Sequence, residues 1–432
     1  MQASSTVWYN KSQKYDRINW YIVFPNAFIF HQIMDKEKIF ELTIEDISTE
    51  GEGIGRIDGE VAFVPGTYPG DRVLAEVKED KGRFCKCTLK EILEPSKDRV
   101  EPACLHTADC GGCPLMGLSY EAQLAWKQRS VTQALTRLGG LEDPAVRPIL
   151  STGKTLRYRN KGEFVLQGNR AGCNARGSHR FVEIEDCPIQ QEAVIEAMHQ
   201  ALAETKPTQK YFTRLVCRSA ASGETMIIKQ HEDGEGTASC RILHDRIVTD
   251  ACTLKTEVSP LSFYQVNPEG CTLLYSKVQE YAALTGTEKV LDLYCGAGSI
   301  GLTLAGSCER VIGVEVVRQA FVDANRNAAI NGLANATFVC GKAEEVIDTK
   351  LQGVKADLVI VDPPRAGCAK SLLEAIGRIS PKKLIYVSCN PATLARDIKI
   401  LSGLGFTFKE ATPVDMFPHS THCETVALLE KN

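Results

Sequence analysis

Short runs of alternating apolar and polar residues occupy the chain from residue 39 to 93. Four segments show this alternation, with glycine-rich or charged turns between them: FELTIEDI, GRIDGEVAFV, RVLAEVKED and CKCTLKEIL. A period of two is typical of strands that bury one face. Because several such strands follow one another with short turns, we predict a small closed β-barrel of the oligonucleotide-binding type.

The middle of the chain mixes helical and strand-like patterns. Residues 121–138 place apolar side chains at helical spacing and are followed by Gly139 and Gly140, which predicts a helix that ends there. A mixed α/β region follows, to about residue 255. In it we expect strands at GEFVLQ, RLVCRSA and TMIIKQ and a helix over 190–204.

From Lys289 to the C-terminus, apolar strand-like runs alternate with helical segments. The runs are KVLDLYC, RVIGVEV, TFVCG, ADLVIVD and KLIYVSC, and two further strands are expected near 406–415 and 424–430. A helix is expected from Arg318 to Ile330, and none is predicted between TFVCG and ADLVIVD. The alternation predicts a doubly wound, Rossmann-like parallel sheet that binds ligands at the carboxyl ends of its strands.

The length of 432 residues and these changes of pattern predict a multi-domain α/β protein. We divide it into an N-terminal extension (1–35), the β-barrel (36–95), a central α/β domain (96–260) and the Rossmann-like domain (261–432). The apolar run WYIVFPNAFIF at 20–30 is too short to span a bilayer, so we expect no membrane contact. Because organised patterning begins after Met34, we expect the native chain to start there and residues 1–33 to be read through from an upstream codon.

Composition narrows the partners more than the function. The net charge is −4, which excludes a protein that coats nucleic acid through a general excess of Lys and Arg. Between Lys154 and Arg180, however, seven cations accompany a single acid, Glu163. This stretch is a candidate patch for nucleic acid, and a solvated charged face is the open alternative.

Seventeen cysteines without a secretory signal indicate a reducing, cytoplasmic location, where clustered cysteines favour a metal site over disulfides. Most of them stand singly in apolar runs and are expected in the core. Cys104, Cys110 and Cys113 lie close together, and Cys187 follows far downstream. Three clustered cysteines and one distant one fit a [4Fe–4S] cluster better than a structural zinc, which usually uses two short cysteine pairs; zinc stays the alternative.

A glycine-rich turn follows the strand KVLDLYC. Gly296, Gly298 and Gly301 open the next helix, and such glycines let a cofactor approach the backbone closely. Glu315 ends the following strand, where a carboxylate can accept hydrogen bonds from ribose hydroxyls. The pattern alone fits a nicotinamide dinucleotide as well as S-adenosylmethionine.

The strand end VDPP at residues 361–364 separates these two cofactors. Asp362, followed by two prolines that stiffen the loop, suits a methyltransferase better than a hydride-transfer enzyme. Enzymes that methylate amino groups of bases on this fold carry an aromatic residue after the prolines, where it stacks on the base. Arg365 occupies that position, which argues against methylation of an adenine amino group.

Cys389 and Glu424 are candidates for the chemical step. Cys389 ends the strand KLIYVSC at the same rim as Asp362, and we expect backbone N–H groups of the following helix to lower its pKa. Glu424 begins an apolar strand, where a carboxylate is costly unless it faces a site. A structural core cysteine and a glutamate that merely starts its strand at the surface are the respective alternatives.

Together these segments resemble the RNA (uracil-5-)-methyltransferase family, from a barrel similar to a TRAM domain to the C-terminus. The shared motifs are FYQVN (263–267), DLYCGAGSIG (292–301), VDPPR (361–365), SCNP (388–391) and HCETV (422–426), with Cys423 where the family often has valine. The resemblance implies Cys389 as nucleophile and Glu424 as proton acceptor, and cluster-containing members support the [4Fe–4S] assignment. The residues it implies around S-adenosylmethionine, together with the glycine turn, are Gln265, Tyr294, Gly296, Gly298, Glu315 and Asp362. Gln265 can equally contact the target base.

The chemistry of uracil explains why both a cysteine and a base are needed. Carbon 5 is not nucleophilic enough to attack a methyl sulfonium until a nucleophile has added at carbon 6. After methyl transfer, carbon 5 carries both its hydrogen and the new methyl group, so a base must remove that proton before the cysteine leaves. We therefore expect methylation of carbon 5 of a uridine through an adduct with Cys389.

The expected partner is RNA. A target uridine in folded RNA must be flipped out, and we expect the barrel and the 154–180 stretch to hold the RNA around it. The resemblance favours large-subunit (23S) ribosomal RNA, with transfer RNA as the alternative, and implies no protein partner, so we expect a monomer. Two rival interpretations are a class I methyltransferase that acts at another position or on a small molecule without Cys389, and a non-enzymatic iron–sulfur factor that binds RNA.

Overall fold

The computed structural model describes residues 39–204, 212–260 and 262–432, which all belong to one compact unit, Ile39–Asn432. The predictions about the N-terminal extension and the start of the native chain lie outside the described residues. None of the helices in the described part of the chain is long and apolar enough to cross a membrane.

The first six strands form the predicted barrel. They are β1 (Ile39–Thr43), β2 (Asp46–Ile47), β3 (Glu52–Ile57), β4 (Glu60–Pro65), β5 (Arg72–Asp80) and β6 (Phe84–Glu94), in the order β1-β5-β6-β4-β3-β2. The two ends of this sheet, β1 and β2, are separated by only two residues, and Glu45 N donates a hydrogen bond to Ile54 O at 2.7 Å. The sheet therefore curls around its own apolar core of alternate side chains, among them Leu42, Val64 and Val73.

An antiparallel sheet with one covering helix forms the centre of the molecule. Helix α1 (Tyr120–Arg137) comes first, followed by β7 (Lys161–Gln167), β8 (Arg170–Asn174), β9 (Phe181–Glu183), α2 (Glu192–Ala203), β10 (Arg214–Ser219), β11 (Thr225–Gln230) and β12 (Gly236–Ala238). The sheet order is β12-β11-β10-β7-β8-β9, and α2 buries its apolar face against it. A separate hairpin follows, β13 (Leu243–Val248) and β14 (Thr253–Val258). Both predicted helices and all three predicted strands of this region are confirmed.

The C-terminal part is the predicted doubly wound sheet. Its elements are α3 (Pro268–Ala282), β15 (Lys289–Leu293), α4 (Ser299–Leu304), a 3₁₀ helix (Ala305–Ser307), β16 (Arg310–Glu315), α5 (Arg318–Ile330), β17 (Ala336–Cys340), α6 (Ala343–Asp348), β18 (Leu358–Val361), α7 (Lys370–Ile379), β19 (Lys383–Ser388), α8 (Pro391–Gly403), β20 (Phe406–Val414) and β21 (Glu424–Lys431). The order is β17-β16-β15-β18-β19-β21-β20, with β15 to β19 parallel and the last two strands antiparallel at one edge.

The sequence pattern missed one crossover helix, α6, between β17 and β18. These two strands are parallel but lie three positions apart in the sheet, so the chain needs a long connection to pass from one to the other. Helix α6 supplies part of this connection and buries Val346 and Ile347. It has only six residues, which is too short for a clear helical period in the sequence.

Candidate active site

A cavity of about 860 Å³ opens at the carboxyl ends of β15, β16, β18 and β19. Seven of the eight residues predicted for catalysis and cofactor binding line it: Gln265, Tyr294, Gly296, Glu315, Asp362, Cys389 and Glu424. They come from six different strand ends or loops, and the parallel sheet brings most of them to one rim. Gly298 is the exception, because it does not line this cavity.

Two glycines of the glycine turn have different surroundings. A Cβ atom on Gly296 would meet nothing within 4 Å, so open space remains where a ligand can approach the backbone. Gly298 has a φ of +80°, and a Cβ there would lie 2.9 Å from the ring of Phe338. Gly296 thus faces the cavity, whereas Gly298 shapes the turn that begins α4.

Glu315 is held in place by the turn that it faces. Its carboxylate accepts hydrogen bonds from the N–H groups of Gly296 (2.9 Å) and Val317 (2.6 Å). A carboxylate offers about four lone-pair sites, so two remain for a ligand. A side chain oriented in this way by the backbone can still accept hydrogen bonds from two adjacent hydroxyl groups.

Cys389 lies directly after β19, before the residue that caps α8. Asn390 is that cap, and its side chain accepts a hydrogen bond from Ala392 N at 3.1 Å. Burial, together with the carboxyl groups of Glu424 and Asp362, raises the pKa of the Cys389 thiol to about 11, and Arg365 opposes the shift. The expectation that the helix start lowers this pKa is wrong for the ligand-free protein, because burial and two nearby acids outweigh the N–H groups.

Glu424 is a buried carboxyl group at the first position of β21. It is 7% exposed, which rules out the alternative that it starts the strand at the surface. Burial and the neighbouring Asp362 raise the pKa of Glu424 to about 8, and burial raises the pKa of Asp362 to about 7. Two acids whose pKa values lie near neutrality therefore face the same cavity as Cys389.

Arg365 and His422 form a contact that the sequence analysis missed. The Nη2 of Arg365 lies 3.0 Å from Nδ1 and 2.5 Å from Nε2 of the His422 ring, and both residues line the cavity. Burial and the nearby guanidinium lower the pKa of His422 to about 4, so the ring is neutral and can accept from Arg365. His422 belongs to the HCETV motif, but only its neighbour Glu424 was singled out.

The four predicted metal-binding cysteines come together around a second, small cavity of about 30 Å³ lined by Cys104, Cys110, Cys113 and Cys187. Among the described residues, no three of these sulfur atoms lie within 4.8 Å of one another. Ile189 lines this cavity and also the large one, so the cysteine site adjoins the candidate active site. A fifth thiol, Cys173 on β8, neighbours Cys110. Burial, together with Cys110, raises the pKa of Cys173, which was not predicted near the site.

The basic stretch from Lys154 to Arg180 is less exposed to partners than its sequence suggested. Five of its seven cations form ion pairs: Lys154 with Glu269, Arg157 with Asp186, Lys161 with Glu163, Arg170 with Glu183, and Arg180 with Asp109. All of these acids except Glu163 lie outside the segment. The prediction of a patch opposed only by Glu163 is therefore wrong, and Arg157 in particular is a structural residue.

Comparisons with known proteins agree with this arrangement. The sequence model of the tRNA (Uracil-5-)-methyltransferase family matches residues 243–432, and that of the TRAM domain matches residues 36–89. An uncharacterized RNA methyltransferase of Halalkalibacterium halodurans is 37% identical, over 92% of this chain and 98% of its own length. One from Caldanaerobacter subterraneus is 38% identical, over 92% of this chain and all of its own length.

A solved structure extends the likeness to the fold. The crystal structure of the Pyrococcus abyssi tRNA (uracil-54, C5)-methyltransferase, in complex with S-adenosyl-L-homocysteine, is 27% identical with a TM-score of 0.70. The match covers 90% of this chain and 100% of that one. These matches favour a methyl donor over a nicotinamide dinucleotide at the glycine turn, and an enzyme over a non-enzymatic factor. The chain belongs to the RNA (uracil-5-)-methyltransferase family and is an RNA methyltransferase with an S-adenosylmethionine-dependent fold and a TRAM domain.

Proposed function

We propose that this enzyme methylates carbon 5 of a uridine in RNA through a covalent adduct with Cys389. The observation that carries the proposal is the meeting of Cys389, Asp362 and Glu424 in one cavity at the strand ends, with the pKa of Glu424 raised to about 8. A base with a pKa near the working pH is suited to removing a proton from carbon. The alternative of a structural cysteine does not account for two acids beside the thiol.

The residues act in a fixed order in the proposed reaction. The thiolate of Cys389 attacks carbon 6 of the flipped uracil, and the resulting enolate character moves to carbon 5. S-adenosylmethionine would supply the methyl group to that carbon, with its S–CH3 bond broken, and would leave as S-adenosylhomocysteine. Glu424 then takes the proton from carbon 5, the bond between Cys389 and carbon 6 breaks, and 5-methyluridine leaves with the thiolate restored.

Before the attack, the thiol of Cys389 must give up its proton to solvent or to a neighbouring carboxylate. In the ligand-free protein the thiol is protonated at neutral pH, because burial and two acids raise its pKa to about 11. Arg365 opposes the shift, and it also lowers the pKa of Glu424. We propose that Arg365 stabilises negative charge on the thiolate and on the adduct, with His422 orienting its guanidinium.

We propose that the cofactor binds beside the glycine turn of the cavity. We propose that Glu315 accepts hydrogen bonds from the ribose hydroxyls, and that Gly296 lets the cofactor pass close to the backbone. Tyr294 and Asp362 would border the donor, with Gln265 at the boundary between donor and target base. Gly298 would contribute by shaping the turn.

We propose a [4Fe–4S] cluster at Cys104, Cys110, Cys113 and Cys187. The spacing of the sulfur atoms supports it: a tetrahedral zinc with Zn–S bonds of about 2.3 Å holds its sulfurs roughly 3.8 Å apart. In a [4Fe–4S] cluster each thiolate binds a different iron, so the sulfurs stand farther apart. The proposed reaction is not a redox reaction, so the cluster would hold two loops, one with Gly112 and one with Ile189, beside the active site.

For the RNA itself we propose large-subunit ribosomal RNA, held by the TRAM barrel (36–95) and the central domain (96–260) against the methyltransferase domain (261–432). Transfer RNA is the second candidate, favoured by the substrate of the Pyrococcus abyssi relative. The test is to treat ribosomal and transfer RNA from a strain lacking the gene with the enzyme and S-adenosylmethionine carrying a deuterated methyl group. Nucleoside mass spectrometry should find labelled 5-methyluridine, and mapping should place it in the ribosomal fraction. Label in another nucleoside would contradict the proposed reaction.

A further inference from the structure

Three cations from the central domain line the active-site cavity: Arg159, Lys161 and Arg218, here called the cationic wall. Lys161 on β7 and Arg218 on β10 are direct partners in the antiparallel pairing of these strands. Arg159 is two residues before Lys161 and donates from Nε to the Lys161 carbonyl at 2.9 Å. Like charges directly opposite each other on neighbouring strands are destabilising. The arrangement therefore calls for an anion that compensates it.

Carboxylates of the protein supply only part of this compensation. Glu163 lies 2.5 Å from Lys161 Nζ, but it is shared with Arg214 outside the wall. In residues 39–204, 212–260 and 262–432, no carboxylate oxygen lies within 4.0 Å of the guanidinium of Arg159 or of Arg218. The wall consequently keeps a net positive charge toward the cavity.

Arg218 has an unused hydrogen-bond donor although it is 4% exposed. Its Nη2 donates to the carbonyl of Ser262 at 2.6 Å, but its Nε is buried and has no partner among the described residues. Burial lowers the pKa of Arg218 to about 10, which reflects the cost of keeping a charge there. A buried guanidinium with an unsatisfied N–H is costly, and a ligand oxygen that reached Nε after a small shift of the side chain toward the cavity would remove that cost.

We propose that the cationic wall is a binding subsite for a backbone phosphate of the RNA strand, next to the flipped target nucleotide. The subsite rests on the proposed function, since only an RNA substrate would bring a phosphate into this cavity. Arginine is well suited to phosphate, because its fork of N–H groups matches two phosphate oxygens. A flipped nucleotide carries its flanking phosphates with it to the mouth of the pocket.

The carboxylate of the methyl donor is the other anion that enters the cavity, but the charge distribution favours phosphate for this wall. Glu315 and Asp362 come from the carboxyl ends of strands of the methyltransferase domain and border the proposed donor site. The three cations come from the central domain or the segment leading into it. The two sets therefore divide the cavity into a side for the donor and a side for the RNA backbone.

The experiment couples a change in the protein to a change in the RNA. The probe is a short synthetic RNA copied from the methylation site mapped as above, with 5-fluorouridine at the target so that the adduct with Cys389 accumulates. Two further RNAs carry a neutral methylphosphonate in place of the phosphate on the 5′ or the 3′ side of that nucleotide. Half-saturating RNA concentrations for adduct formation are compared between the full-length wild type, Arg218→Met and Arg378→Met. Arg378 is the matched control because it is exposed on α7 and pairs with Asp348.

For wild type and Arg378→Met, the half-saturating concentration of one of the two methylphosphonate RNAs should be about tenfold higher than that of the all-phosphate RNA. For Arg218→Met, the half-saturating concentration of the all-phosphate RNA should be about tenfold higher than for wild type. This variant should no longer distinguish the all-phosphate RNA from that methylphosphonate RNA. If Arg218→Met still distinguishes it fully, or if wild type distinguishes neither RNA, the subsite is wrong. If Arg218→Met binds S-adenosylhomocysteine more weakly but has an unchanged half-saturating RNA concentration, the wall binds the donor carboxylate. This result would also overturn the phosphate subsite.

A folding defect in Arg218→Met is handled by a second variant. Thermal unfolding and S-adenosylhomocysteine affinity report on the fold, and Lys161→Met replaces Arg218→Met if either is lost. Lys161 is partly exposed, so its removal should leave the fold intact and produce the same loss of discrimination. If no adduct forms between wild type and the all-phosphate RNA, the proposed function itself fails, which is a different outcome from an adduct without discrimination.

Discussion

The ammonium of Lys127 lies 2.6 Å from the carboxylate of Asp415, and neither side chain is exposed. Lys127 is on α1 and Asp415 directly follows β20, in the segment that leads to His422 and Glu424. Lys127 also donates to the carbonyl of Phe417 at 2.9 Å, and Tyr120 donates to Asp415 at 2.8 Å. The buried pair thus fastens the loop before the proposed base to the helix that follows the cysteine cluster.

We expect Lys127→Met to destabilise the protein by about 3–5 kcal/mol, because it leaves the buried Asp415 charge without its partner. Urea unfolding measures the loss. The double variant Lys127→Met/Asp415→Asn is the control, and it should recover part of the stability because the orphaned charge is gone. A loss for the single variant well below about 1 kcal/mol would show that the pair does not hold this loop.

The buried carboxyl group of Glu424 makes stability depend on pH in a defined direction. Its pKa is raised from 4.5 to about 8 in the folded protein, so its contribution to stability is fully present below about pH 4.5 and is lost as the pH rises through about 8. Glutamine cannot ionise. We therefore expect the free energy of unfolding of Glu424→Gln, relative to that of wild type, to be higher at about pH 9 than at about pH 5 by 1 kcal/mol or more. Denaturant unfolding at both pH values measures this difference.

The same group sets the direction of the pH–rate profile. Glu424 and Cys389 must both lose protons to act, and both pKa values are raised, to about 8 and about 11. Methyl transfer at saturating substrate should therefore become faster as the pH rises from about 6.5 to about 9. A rate that falls over this range would contradict the assignment of Glu424 as base.

Cofactor affinity tests the proposed roles of the glycine turn. We expect Glu315→Ala to weaken S-adenosylhomocysteine binding about tenfold or more, because two hydrogen bonds to a charged acceptor are lost. Gly296→Ala should weaken it as well, since a methyl group would enter the open space beside the backbone. Calorimetric titration measures both. Glu345→Ala is the control, an exposed acid on α6 outside the cavity; equal losses in Glu345→Ala and Glu315→Ala would contradict a specific role of Glu315.

Metal content tests the cysteine site, with the neighbouring Cys173 as an internal control. Protein purified without oxygen should contain about four iron and four sulfide ions per chain. Cys187→Ala should lose the iron and sulfide. Cys173→Ala should keep them, because Cys173 neighbours Cys110 without lining the small cavity. One zinc per chain and no sulfide would contradict the cluster and restore the alternative.

Local patterns predicted many of the strands and several long helices, because each of these elements has its own period in the sequence, but the 15-residue helix α3 was not predicted. Helix α5 has the predicted bounds Arg318–Ile330, and α1 differs from its prediction by one residue at each end. Motifs at the carboxyl ends of β15, β18 and β19 placed Asp362 and Cys389 in one cavity for the same reason: in a parallel sheet, consecutive strand ends share a rim.

Contacts between distant parts of the chain could not be read in this way. The partner of Lys154 is Glu269, 115 residues away, so the basic stretch looked unopposed in the sequence. The pKa of Cys389 was misjudged because Glu424 and Asp362 reach it only through the folded sheet. Arg218 is likewise ordinary in sequence, and only its pairing opposite Lys161 reveals an unusual charge arrangement.

The central claim is the covalent bond between Cys389 and the target uridine. RNA containing 5-fluorouridine tests it most directly, because fluorine at carbon 5 cannot be removed as a proton and the adduct persists. Mass spectrometry of the wild-type enzyme, incubated with this RNA and S-adenosylmethionine, should find a stable protein–RNA conjugate whose cross-linked peptide contains Cys389. Cys389→Ala should form no conjugate and should transfer no methyl group to ordinary RNA. The control, Cys368→Ala, should form the conjugate and should methylate ordinary RNA. No conjugate with wild type, together with methyl transfer that persists in Cys389→Ala, would contradict the mechanism.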